Sequence, residues 1–146
     1  MKGYVKIKLH YYDDNETELV ESLWAKQQNE NYIIENSPFY ALNFSLGDLV
    51  SAKTINGELF IDSLVEESGN SNLQVVFFKR EFVQKVRDEL KLLGCNSELS
   101  DKPQLIAVNV PKEIDYFGVI KPFLDNYSNN EILDYGESCL AHSLES

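Results

Sequence analysis

Residues 36–60 read NSPFYALNFSLGDLVSAKTINGELF, and the punctuation of that stretch decides how the chain is read. Ser37-Pro38 interrupts one apolar run, Gly47-Asp48 stops a second, and Asn56-Gly57 stops a third. Proline cannot donate to a strand ladder, so position 38 is an edge, a bend or a strand end. Asn-Gly between two alternating segments is a strong hairpin signal, because both residues accept positive φ. Gly47 can take a left-handed turn that a side chain resists, and Asp48 can cap the free backbone amides beside it. A catalytic Asp48 would call for a second carboxylate or a histidine alongside, and the local sequence offers neither. The pair is geometry, and the stretch is short strands joined by tight turns.

The same pattern extends towards the N-terminus. In KGYVKIKLHYY (2–12), Val5, Ile7, Leu9 and Tyr11 alternate onto one face, which is the period of a strand. DDNET (13–17) makes a polar turn, ELVESLWAKQ is strand-like around Trp24, and YIIENSPFYAL is β-branched and apolar. Leu49 and Val50–Ala52 belong to one further strand, and Leu59, Ile61 and Leu64 to the next. Residues 1–67 are expected to form a small antiparallel β-barrel-like unit with Trp24 and Phe39 inward.

Beyond the apolar-free loop SGNSN (68–72) the register changes. LQVVFFK reads as a buried strand. REFVQKVRDELKLLG places Phe82, Val83, Val86, Leu90 and Leu93 at helical spacing, with Gly94 as the stop. QLIAVNVP is a strand ended by Pro111. DYFGVIKPFLDNY is a helix with Tyr116, Val119, Ile120, Phe123 and Leu124 inward, shortened to begin near residue 120 if Pro122 breaks it. EILDYGESCLAH forms a last strand. The expected class is α+β: the barrel-like unit (1–67), then a β-α-β-α-β sheet (68–146) with helices on one face, packed together as one unit.

A chain of 146 residues with 43% apolar and 25% charged positions can bury a core of this size. No run approaches the length of a membrane span, and no continuous apolar segment opens the chain. A cytoplasmic location is expected. Cys95 and Cys139 lie outside any CxxC context and read as free core thiols. Thirteen Lys and Arg against 24 Asp and Glu leave a net charge of −11. The excess is densest over residues 112–146, with seven acids and two lysines. Such a surface repels phosphate backbones and anionic headgroups and steers basic proteins towards itself. Neither nucleic acid nor membrane is an expected partner.

Catalytic constellations are nearly absent from the sequence. His10 and His142 stand far apart and read as surface or interface residues, with no visible activating partner for Cys95 or any serine. Asp13-Asp14-Asn15-Glu16 lacks the glycine and terminal glutamate of a calcium loop. SGNSN is too short for a phosphate loop and lacks a following Lys-Ser or Lys-Thr. No enzymatic activity, cofactor or metal is expected.

LWA (23–25), NSPFYA (36–41), LGDLV (46–50), SGNS (68–71), LGC (93–95) and AVNVP (107–111) recur here in a familiar order. Together they resemble a bacterial domain family of unknown function marked by Leu-Trp-Ala, Asn-x-Pro-Phe, Gly-Asp-x-Val and Ser-Gly-x-Ser, across residues 19–140. Asn70 stands where histidine is common in that family. Similar small acidic proteins occur as immunity proteins beside polymorphic and contact-dependent growth-inhibition toxins. The resemblance therefore implies a protein that binds a cognate toxin domain, a basic nuclease and an RNase ahead of a DNase, and blocks its active site. Candidate contacts are Asp125, Glu131, Asp134 and Glu137, with Glu66 and Glu67 between the halves. The competing readings are an enzyme or ligand-binding protein using Glu66, Asp115 and His142 in a cleft between the halves, and a structural subunit of a larger complex.

Overall fold

β1 (Tyr4–Tyr12) and β2 (Glu18–Gln28) pair antiparallel from Tyr4↔Lys26 to Tyr12↔Glu18. The meander continues through β3 (Asn31–Ile34), β4 (Leu49–Ile55) and β5 (Glu58–Glu66), and the five strands close into a barrel. In a meander each strand reverses the one before, so the first and last of five must run the same way. β1 and β5 accordingly meet in parallel, at Lys8↔Phe60. Ile7, Leu9, Leu23, Ala25, Ile34 and Val50 fill the interior, as alternation dictates for a small barrel. The computed structural model describes residues 3–144.

The second half is a four-stranded antiparallel sheet of order β7-β8-β6-β9, built from β6 (Ser71–Phe77), β7 (Asn96–Leu99), β8 (Leu105–Val110) and β9 (Leu133–Cys139). Helix α1 (Val83–Leu92) follows a 3-10 turn, and α2 (Lys121–Asn129) follows a π-helical turn at Tyr116–Ile120. Val86, Leu90, Ile120 and Leu124 form one buried cluster with Leu73, Val75, Ile106 and Val108 of the sheet. The fold class is α+β, with two mostly antiparallel sheets and two helices.

Several local expectations are corrected. An additional strand, β7, lies between α1 and β8, so the order is β-α-β-β-α-β. Its sequence, NSEL, is too polar and short to read as a strand, and pairing with β8 makes it one. Trp24 faces outward at 36% exposure, because β2 turns Glu21, Leu23 and Ala25 inward. Phe39 is half-buried. Leu64 falls on β5 as expected and is exposed, between two register shifts in the β4–β5 ladder that interrupt the period-two pattern. Val119 is exposed too. In the π-helical turn Ile120 N–H reaches back five residues to Asp115 O, and that wider turn rotates Val119 out of the helical stripe.

The segment after β3 joins the halves. Glu98 on β7 accepts from Asn36 Nδ2 (3.3 Å) and Ser37 N (2.7 Å). Fully buried Asn72 donates from Nδ2 to Pro38 O and to Ser138 Oγ, both at 2.9 Å. Gln74 Nε2 donates to Ala41 O (3.3 Å), and Asn43 N donates to Ser138 O (2.9 Å). NSPFYALN is thus the polar seam along which barrel and sheet adhere.

Candidate partner-binding surface

Acids divide here into those that hold the fold and those left at the surface. Glu21, 7% exposed, accepts N–H bonds from Phe39 (2.7 Å), Tyr40 (3.2 Å) and Ala41 (2.9 Å). Asp48, 3% exposed, takes Ser45 N on one oxygen and Ser68 N on the other, each at 2.9 Å. Gly47 has φ +89, so both residues of the Gly-Asp pair serve the turn. Asp13 Oδ1 accepts from Asn15 N and Thr17 N, closing the β1–β2 turn. Asn70 clips Leu46 O (2.9 Å) to Lys112 N (3.0 Å). These side chains are committed to the backbone.

The four C-terminal acids lie on or beside β9, an edge strand, but not on one face. Asp125 and Glu137 are tied on the helix side: Tyr135 donates its hydroxyl to Asp125, and Tyr116 donates to Glu137. Lys121 Nζ lies 3.0 Å from Tyr135 Oη and 3.7 Å from Glu137. Burial, and then the Glu137 carboxylate, push the Tyr116 hydroxyl far above its usual range. Burial and Asp125 raise Tyr135 likewise. The hydrogen bond to Tyr135 raises Lys121, keeping it cationic. Asp134 pairs with Val76 across the ladder, and its Oδ1 accepts its neighbour's N–H, from Tyr135, at 2.9 Å. Glu131 sits in the turn before the strand with φ +59. Glu66 and Glu67 are exposed where β5 leaves the barrel, lining a shallow recess with Lys112. Sequence spacing could not separate tied from open acids, since the tyrosines that bind two of them come from other elements.

Asp115 and His142 both line a cleft of about 520 Å³ beside the π-helical turn, but Glu66 is not among its lining residues. Asp115 caps Gly118 N at 2.9 Å. His142 Nε2 lies 3.0 Å from Pro111 O and must donate to it, leaving Nδ1 to accept from Ser71 Oγ at 2.6 Å. A serine–histidine pair therefore exists that the sequence did not disclose. Ser71 is fully buried and its oxygen also accepts from Ala141 N and His142 N, so the pair fastens the C-terminal segment to β6. His10 stacks on Phe60 (4.9 Å) and meets Glu18 at 2.7 Å. Cys95 is buried and Cys139 partly so, both as free thiols; burial pushes Cys95 up to about 11 and raises Cys139 as well. Among the described residues no cluster of His, Cys, Asp or Glu could hold a metal, and no helix is long and apolar enough to cross a membrane.

Sequence reading also missed two exposed apolar residues. Val76 (41% exposed) and Phe78 (64%) stand on the sheet face away from the helices, next to Asp134. Their run, VVFFK, looks continuously buried, but the alternation of β6 turns Val76 outward, and Phe78 is exposed just past the end of the strand.

A family model described as Domain of unknown function (DUF4265) matches residues 21–135. No curated protein matches the chain. A crystal structure described as that of a hypothetical protein from Neisseria gonorrhoeae is 26% identical, with a TM-score of 0.83 over 94% of this chain and 96% of that one. The likeness takes in both halves.

Proposed function

The chain belongs to this family of domains of unknown function, and from its surface we propose that it is an immunity protein, which binds a cognate basic toxin domain and blocks its active site. The observation that carries the reading is a set of exposed carboxylates not neutralised by the protein's own cations. Among the described residues, ion pairs involve Glu18, Glu58, Asp62, Glu89 and Glu137, and leave out Glu66, Glu67, Glu131 and Asp134. With the net charge of −11, these groups give a field that accelerates encounter with a cationic partner.

A domain that cleaves RNA or DNA holds phosphates with Lys and Arg, so its active site presents the charges an acidic inhibitor can engage. Close charge pairs across such interfaces couple by about 1.5–7 kcal/mol. An RNase is the favoured target, and the protein carries out no catalytic step of its own. The test is co-expression with a candidate toxin domain taken from the neighbouring reading frame. Protection of growth, with nuclease activity of the purified domain titrated to zero at one equivalent, is the expected result. Full nuclease activity in excess of this protein would overturn the proposal.

A further inference from the structure

The outer face of the β6–β9 ladder forms a trough of about 450 Å³, lined by Gln74, Val76, Phe78, Asp134, Tyr135 and Gly136. Gly136 lies opposite Gln74 and has open space where a Cβ would be, so the floor over β9 is bare. Val76 and Phe78 supply an apolar and an aromatic surface, both substantially exposed. Asp134 faces Val76 across the ladder. One of its oxygens holds Tyr135 N, and the other has no partner among the described residues. At one end Gln74 donates to Ala41 O, which fixes the seam loop beside the trough.

An exposed aromatic, a flat aliphatic floor and a half-used carboxylate together match one side chain in particular. Arginine lays its methylenes on apolar surface, stacks its guanidinium on an aromatic face and binds carboxylate through a planar fork. We infer that this trough is the anchoring subsite for an arginine on an extended segment of a basic protein partner. The occupant is chosen by charge: the chain carries −11 overall, and Glu131 precedes the strand that bears Asp134. The inference rests on the reading of the protein as a binder of a cationic domain, and it assigns the apolar centre that the carboxylates alone lack.

The test uses a defined probe: a short synthetic peptide alternating arginine and valine, with a matched peptide in which citrulline replaces arginine. Citrulline keeps the shape and removes the charge. Backbone amide shifts of the full chain are followed by NMR during titration. Saturable shifts centred on Gln74, Val76, Phe78 and Gly136 are expected, with affinity at least about tenfold weaker for citrulline. Asp134→Asn should weaken arginine-peptide binding to a similar degree, and so should Phe78→Ser, whose exposed position makes it compatible with folding. Unchanged amide dispersion would show that each variant remains folded. Equal binding of the two peptides, shifts centred on Glu66 and Glu67, or no saturable shift would overturn the subsite. Because the probe contains no toxin, the trough can fail while nuclease inhibition stands, and it can bind arginine while inhibition fails.

Discussion

Glu21 shows how far a residue's role can lie from its letter. On an alternating strand it occupies an inward position, where a carboxylate is costly unless hydrogen bonds satisfy it. Three consecutive amides of the seam loop do so. Glu21→Ala would strand those donors, and the protein should lose about 3 kcal/mol of stability in urea unfolding. Glu21→Gln retains one carbonyl oxygen and should lose less. Equal stability of the alanine variant and the parent would refute this role. The two cysteines separate in the same manner. Cys95 is fully buried, with its thiol pushed from 9.0 to about 11, so native protein should be alkylated at Cys139 first. The folded state holds the Cys95 proton to higher pH than the unfolded chain does. Its contribution to stability is therefore intact below pH 9.0 and lost as pH climbs towards about 11. Tyr116, also raised, adds to the alkaline loss in the same direction. Unfolding midpoints measured across that window should fall, and a midpoint independent of pH would contradict it.

At the scale of elements, local rules were legible and partnership was not. The Asn56-Gly57 turn has φ of +51 and +80, and it separates β4 from β5. Gly94 ends the α1 region with φ +98, and an added Cβ would lie 2.7 Å from Ile114 Cδ1. Gly94→Ala should cost about 1–2 kcal/mol in an unfolding titration, mostly from the left-handed backbone, because the side-chain end it meets can shift. A neutral change would mean that α1 ends for another reason. By contrast, β2 admits either parity from its letters. Trp24 looks like core, yet Lys6 Nζ covers its ring at 4.2 Å from the centroid and its backbone N–H bonds Asn36 Oδ1. The inward set is settled by what Glu21 meets in a loop fifteen or more positions away. β7 was invisible for the same reason. Its polar letters make sense only beside β8 and against Ser37.

At the scale of the molecule, barrel and sheet meet through Asn36, Pro38, Ala41 and Asn43 on one side and Glu98, Asn72, Gln74 and Ser138 on the other. The seam takes the Ser138 end of β9 and leaves Val76, Phe78 and Asp134 exposed on the outer face. The acidic excess and its C-terminal concentration were plain in the sequence. What composition could not reveal was that Tyr135 and Tyr116 engage Asp125 and Glu137, leaving Asp134 and Glu131 as the more open acids. The central claim is electrostatic recognition of a basic toxin domain, and stopped-flow association with that domain over a salt series tests it most directly. Exposed charges are screened beyond about 8 Å at physiological ionic strength, so the association rate should fall steeply as salt rises. Combined reversal at Glu131 and Asp134, the two open acids, should slow association at least about tenfold at low salt while leaving stability within about 0.5 kcal/mol of the parent. If only reversal of Glu66 and Glu67 has that effect, the binding face moves to the end of β5 and the mechanism stands. A rate indifferent to salt and to both sets of reversals would contradict the account.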